Sequence, residues 1–291
     1  MDWLTTTKIP IGPWAKAVVD WLTTNGEGVF DFLKVVLQAG IDVVLFVLQG
    51  PYLTSPGGKL GYALAMIVLI SCLAWYFRRS LGITLFTFLG LLLIVNQGFW
   101  KETTETLALV LAATGVSMLI GVPLGIAAAR RPWFYAILRP ALDLMQTIPT
   151  FVYLIPALIL FGLGMVPGLI ATVIFAIPAP IRLTRLGIIS TPPSLVEAAV
   201  SFGATPSQVL RKIELPFAKP QIMAGLTQTI MLSLSMVVIA ALVGAKGLGV
   251  PVVRALNTVN ISMGFEAGLC IVVLAIILDR LFRSSDEGDA A

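Results

Sequence analysis

The chain has no histidine anywhere in its 291 residues. That absence excludes imidazole metal sites, Ser-His-Asp triads and histidine proton relays. Cysteine is nearly as scarce. Cys72 and Cys270 both stand inside apolar runs, where a thiol behaves as a small hydrophobe rather than as half of a disulfide. Charge is short as well: 12% of residues are charged and 58% are hydrophobic, about half the charged share of an ordinary soluble domain. A soluble core of this length would leave too much apolar surface in water, whereas a bilayer solvates it. The composition therefore describes a polytopic membrane protein. A phosphate-binding loop is also missing, because Gly58-Lys59-Leu60 has no Ser or Thr after the lysine and no glycine five residues before Gly58. If ATP drives this protein, another subunit binds it.

Seven stretches are apolar enough to be read as spans, at roughly 60–77, 81–95, 103–129, 135–162, 166–186, 221–243 and 265–282. The second is short. Placing the turn Arg78-Arg79 in the cytoplasm and alternating from there also puts Arg130, Arg131, Arg139, Arg182, Arg185, Arg211, Lys212, Lys219, Arg280 and Arg283 inside. From residue 60 onward only Lys101, Lys246 and Arg254 fall on the other side. The positive-inside rule accepts that asymmetry, which makes the loop 187–220 and the C-terminus cytoplasmic.

Residues 1–59 form an extracytoplasmic segment by the same alternation. Met1-Asp2-Trp3 and the Pro-broken Ile9-Pro10-Ile11-Gly12-Pro13 lack the basic start and apolar run of a signal peptide. Between 29 and 50, Asp31, Lys34, Gln38, Asp42 and Gln49 gather on one helical face opposite Phe30, Leu33, Leu37, Val44 and Leu48. An amphipathic helix lying on the outer surface is favoured over an eighth span, which would bury charge near mid-depth at ~2.5–3.5 kcal/mol each. Ser284-Ser285-Asp286-Glu287-Gly288-Asp289, within the tail 284–291, reads as a short solvated end. No internal repeat divides the chain, so 60–283 is one transmembrane domain.

An ion-coupled transporter needs an ionisable group deep in its spans. Here Glu102, Glu105 and Glu266 lie near outer ends, Arg182 and Arg185 near an inner end, and Arg139 and Asp143 in the inner half of the fourth stretch. The midplane is nearly free of charge, which weighs against a stand-alone secondary transporter or channel, the rival reading. The fourth stretch combines a helix breaker with polar groups: Gln146, Thr147 and Thr150 surround Pro149, with Met145, Phe151 and Tyr153 beside them. Met145, Gln146, Thr150, Phe151 and Tyr153 are candidates to line a substrate pathway. The alternative for them is ordinary interhelical packing and hydrogen bonding.

The loop 187–220 carries more order than a connector requires. Ser194 with Glu197 has capping-box spacing, Gly203 can supply a left-handed stop, and Thr205, Pro206 and Gln208 spell a second helix start. A short helix, a glycine turn and another short helix are expected, with Ala198, Ala199 and Ala204 keeping the turn slim. Both ends run into spans, which leaves no room for a nucleic-acid-binding domain. Docking to a cytoplasmic partner is favoured over a merely stiff connection.

Glu197-Ala198-Ala199, then Gly203, then Ile213-Glu214-Leu215-Pro216 resembles the EAA loop of permease subunits in binding-protein-dependent ABC importers. Pro220–Leu226, Leu232–Ala240, Gly247-Leu248-Gly249 and Asp143–Pro149 resemble the glycine betaine/proline betaine/choline branch, as does the opening Met1–Thr6. Leu256-Asn257-Thr258-Val259-Asn260 is similar to rhizobial choline permeases. The resemblance covers about 60–283. It implies an all-α type I ABC importer permease fold in a bacterial inner membrane and a homodimer of this chain. Two cytoplasmic ATPase subunits holding ATP and Mg, and an external substrate-binding protein, would complete the assembly. The chain itself would hold no cofactor and would not be an enzyme. It further implies that Glu197, Ala198, Ala199, Gly203 and Thr205 belong to a coupling helix and its turn, seated on the ATPase. The aromatic cage that selects a quaternary ammonium ion belongs, on that resemblance, to the binding protein. The branch similarity tilts the expected substrate toward choline without separating it from glycine betaine or proline betaine.

Overall fold

A computed structural model describes residues 10–50 and 58–283. The opening hexapeptide and the tail 284–291 lie outside the described residues. Every regular element is helical: α1 (Ile11–Gln49), α2 (Gly58–Arg78), α3 (Leu81–Asn96), α4 (Trp100–Arg130), α5 (Pro132–Thr147), α6 (Thr150–Phe161), α7 (Met165–Ala176), α8 (Pro178–Ile189), α9 (Pro193–Ser201), α10 (Pro206–Val209), a π-helical turn Leu210–Glu214, α11 (Leu215–Ala241), α12 (Gly249–Thr258) and α13 (Ile261–Phe282).

Five helical runs are long and apolar enough to cross a membrane: Leu60–Arg78, Trp100–Arg130, Met165–Ile189, Pro206–Ala241 and Ile261–Phe282. The run Met165–Ile189 is α7 and α8 joined through Ile177, which stays helical at φ −59° and ψ −27° even though Pro178 follows. The 16 residues of α3 are apolar. At 1.5 Å per residue they rise only about 24 Å, short of the ~30 Å hydrocarbon layer.

The stretch expected as one kinked span over 135–162 is instead two helices, α5 and α6, meeting at a bend of 98°. Ile148 and Pro149 are both extended there, with ψ of 131°. A proline disfavours the helical region for its predecessor and offers no N–H of its own; Ile177 tolerates this before Pro178, whereas here both Ile148 and Pro149 take extended ψ and the ladder stops. With that pair counted as one, the candidate spans among the described residues number six.

The centre of the bundle is α4, α8 and α11, which pack on one another, with α7 beside them. Small residues permit the approach. A Cβ on Gly125 of α4 would lie 2.7 Å from the Ile181 carbonyl, and one on Gly187 of α8 would lie 2.9 Å from the Ala218 side chain. Close backbone contact replaces the hydrophobic drive that lipid cannot supply. Around this seam, Leu109 and Val110 of α4, Leu169 of α7, Ile230 and Leu234 of α11 and Leu274 and Ile277 of α13 form the main core.

α1 begins at Ile11 rather than near residue 29, because Pro13 falls in its first turn, where no backbone N–H is needed. It is not among the helices that qualify as spans. Leu37, Val44 and Leu48 of its expected apolar face do pack on the protein, with Ile41 between them. Phe30 meets Phe161 edge-on at 5.5 Å, and buried Gln49 donates through Nε2 to Thr104 Oγ1 at 2.9 Å. Val35, Val36, Val43 and Phe46 remain exposed on the far side, so the helix carries two apolar flanks rather than one.

Candidate functional site

The loop after α8 forms the expected short helix and glycine turn, but the expected second short helix is the start of a longer one, running unbroken from Pro206 through the π-helical turn into α11, and the first start also differs. α9 opens on Pro193 with Pro192 as its N-cap, and no side chain caps it. Pro192 is extended at ψ 129° and Pro193 has the fixed φ suited to a first helical position. The two prolines begin the helix two residues before a Ser194 cap could, and the Ser194–Glu197 capping box does not form. Glu197 keeps its carboxylate exposed and without a hydrogen bond or ion pair among the described residues.

The second start is as expected. Thr205 N–H donates to Gln208 Oε1 at 2.8 Å, and Gln208 N–H donates to Thr205 Oγ1 at 3.4 Å, a reciprocal box with Pro206 at the first position. Between the helices Gly203 has φ +77°, the left-handed region that glycine enters without penalty. Its N–H bonds the Val200 carbonyl, and the N–H of Ala204 bonds that of Ala199. A Cβ there would meet nothing within 4 Å; conformation, not space, requires the glycine.

The two halves of the loop are held very differently. The second half is stapled to the bundle: Val209 is buried, and Arg130 at the end of α4 donates to Glu214 Oε2 at 2.6 Å and to the Pro206 carbonyl at 3.2 Å. The pair is well shielded, with side chains 34% and 14% exposed. α9, by contrast, has no buried residue. Leu195 and Val200 are exposed and Phe202 stands 93% in the open. A nine-residue helix is too short to persist alone in water, so prolines at its start and glycine at its end hold it ready while its apolar side waits uncovered.

The pathway candidates divide. Met145, Gln146 and Tyr153 are brought together across the α5–α6 bend. The single Tyr153 Oη proton is shared between the Met145 carbonyl at 2.7 Å and the Leu144 carbonyl at 3.1 Å, so it caps the end of α5 from the next helix. Gln146 Oε1 accepts from Arg182 Nη1 at 2.9 Å. Thr150 is half-buried at the start of α6 and Phe151 is exposed; neither joins that network.

Sequence reasoning missed the partner that organises this region. Arg182 of α8 also donates to Asp143 Oδ1 at 2.6 Å, and one turn on, the Arg185 guanidinium lies 3.7 Å from the centre of the Tyr135 ring. Two arginines on one side of α8 thus grip α5 near both ends. Asp143 and Arg182 lie 39 residues apart, and nothing local signals their pairing. Phe202 was likewise visible only as a residue beside the glycine, and its exposure needed the fold.

Residues 121–288 match the family described as binding-protein-dependent transport system inner membrane component. The chain is 46% identical over 281 residues to the glycine betaine/carnitine transport permease protein GbuB of Listeria monocytogenes, covering 96% of each. It is 44% identical over 278 residues to the glycine betaine/proline betaine transport system permease protein ProW of Escherichia coli, covering 96% of this chain and 75% of that one. An inward-facing structure of the MetNI methionine ABC transporter superposes with a TM-score of 0.58 at 23% identity, over 64% of this chain and 94% of that one. At that identity the likeness concerns the fold, which is that of a type I ABC importer permease.

Proposed function

We propose, from the premise that this chain belongs to the binding-protein-dependent transport system inner membrane components, that it forms the membrane path of an importer for quaternary ammonium osmoprotectants. The curated relatives named above are permeases whose names carry glycine betaine, carnitine and proline betaine. These share a fixed positive charge and a carboxylate. The tilt toward choline rests on Leu256–Asn260 alone, and relatives of 44–46% identity lend it no weight against glycine betaine.

The observation that carries the mechanism is α9, ordered yet without a single buried side chain. It is the seat for a cytoplasmic ATPase subunit. Leu195, Val200 and Phe202 supply the apolar contact, and the uncapped Glu197 carboxylate is available to a basic partner residue. Ala198 and Ala199 keep the helix slim for close approach. On this reading two copies of the chain carry two ATPases, which hold ATP and Mg, and an external binding protein delivers the substrate. The loop and the C-terminus are cytoplasmic on the same reading, which the excess of arginine and lysine assigned to that side supports.

Closure of the ATPases displaces α9, and the displacement leaves by two routes. Through buried Thr191 it enters α8. Through the Gly203 turn it enters α10 and α11, which Arg130 ties to α4. From α8 it passes through Arg182 and Arg185 to α5 and so to the 98° break.

Reconstitution tests this directly. Alone in liposomes the chain should show no uphill uptake of glycine betaine under proton or sodium gradients, and ATPase, binding protein and ATP together should establish it. Uphill uptake by the chain alone would overturn the reading.

A further inference from the structure

At the loop side of the bundle a groove of about 750 Å³ opens between the ends of α2, α11 and α13. It exists because α2 packs chiefly on α3 and touches α13 at few positions, leaving a gap toward α11. Ile70 and Phe77 of α2, Met223 and Leu226 of α11 and Phe282 of α13 give it apolar walls. Arg78, Lys219 and Arg283 stand around it, and among the described residues none that lines it is acidic. Arg78 Nη1 donates to the Arg283 carbonyl at 2.6 Å, which fixes the guanidinium where two helices end. Among the described residues, no carboxylate forms an ion pair with Arg78 or Lys219.

All three walls belong to helices long and apolar enough to cross a membrane, and a groove with such walls is better filled by lipid than by water. An apolar slot topped by cations matches the two ends of an amphiphile: hydrocarbon below and an anion above. Cationic pockets between spans draw anionic headgroups, and a guanidinium presents the paired donors that suit a phosphate's oxygens. Lys219, exposed at the mouth, can lay its stem on the apolar wall and keep its ammonium at headgroup level.

We propose that this groove is a binding site for an anionic glycerophospholipid, with one acyl chain between α2 and α11 and its phosphate held by Arg78 and Lys219. A zwitterionic lipid would fill the same slot but would bring its own cation toward these two, so the site discriminates by headgroup charge. The bound lipid closes the gap between α2 and α11 and joins them at the foot of the span that follows the loop. The site does not depend on what docks at α9.

Native mass spectrometry of the intact, delipidated transporter, titrated with phosphatidylglycerol or with phosphatidylcholine of the same acyl chains, tests the proposal. Wild-type protein should retain phosphatidylglycerol in clear preference. Each removed cation should cut that preference about fivefold, so Arg78→Gln with Lys219→Gln should nearly abolish it. Lys219→Gln alone, at an exposed position, serves if the double variant fails to assemble. Met223→Trp, which fills the slot, should reduce binding of both lipids together. Equal retention of the two lipids by wild-type protein, or an unchanged preference in Lys219→Gln, would overturn the assignment. So would preference appearing only after Asp286, Glu287 and Asp289 are neutralised, which would make the chain's own acidic end the occupant.

Discussion

Substitution at Gly203 separates a requirement for backbone conformation from a requirement for space. Its φ of +77° is left-handed, where an L-residue costs ~1–2 kcal/mol, a factor of about 5–30 in the population of the native turn. Because a Cβ would meet nothing within 4 Å in the free chain, no steric term is added. The turn lies outside the buried core, so the chain's thermal stability should be nearly unchanged. What should change is the fraction of loops that present α9 at its fixed angle to α10. In proteoliposomes of the complete transporter, substrate moved per ATP hydrolysed should fall in the order Gly203, Gly203→Asn, Gly203→Ala, Gly203→Val. Asparagine tolerates the left-handed region and β-branched valine resists it. Should Asn and Ala fail equally, the glycine would be serving close approach by the partner rather than turn geometry. A Gly203→Val transporter coupled as tightly as wild type would refute the role of the turn altogether.

Two further outcomes follow from the same geometry. Phe202→Asp places a charge where an apolar ring stands almost fully exposed; the chain should fold normally, within about 0.5 kcal/mol, yet co-purify poorly with its ATPase, which pull-down of the tagged chain would measure. Asp143 and Arg182 have side chains 54% and 35% exposed, so their pair contributes at most ~1 kcal/mol to stability. Asp143→Asn and Arg182→Gln should therefore assemble and hydrolyse ATP while moving less substrate per ATP, and exchanging the two charges in Asp143→Arg/Arg182→Asp should restore part of the loss. Parallel loss of hydrolysis and transport, without rescue, would reduce the pair to ordinary packing.

The features legible in the sequence were those set by composition or by short-range chemistry. Apolar runs located the helices that qualify as spans, though they also counted α3, which falls short, and the Thr205–Gln208 box formed because both of its bonds close within three residues. The Ser194–Glu197 box had the same spacing and failed, since Pro192 and Pro193 set the backbone two residues earlier than the cap required. Pro149 announced a break in the fourth stretch but not its size, which depends on where α7 and α8 hold the two arms. The arginine grip on α5 was invisible for the same reason. Arg182 and Asp143 read singly as charges near a membrane surface, and only the fold turns them into a pair.

Packing suggests why a small movement of α9 would be felt at the broken span rather than dissipated. α4, α8 and α11 meet through Gly125 and Gly187 with backbones nearly touching, and such a seam does not shear easily, because any slip drives Cβ atoms into carbonyls. On the proposed mechanism these helices would move as one body. α5 is different: Leu142 alone is buried along its length, and two arginines, an amide, a carboxylate and a tyrosine ring make much of its attachment to α8. Directional hydrogen bonds are lost within a few tenths of a nanometre of displacement and can re-form elsewhere, whereas close-packed side chains resist any slip. Joined to α6 only through the extended pair Ile148-Pro149 and the Tyr153 cap, α5 is the arm that can take a second position while its neighbours keep theirs. A rigid block ending in the docking loop, and a polar-latched arm at a 98° break, are the two parts that alternating access requires.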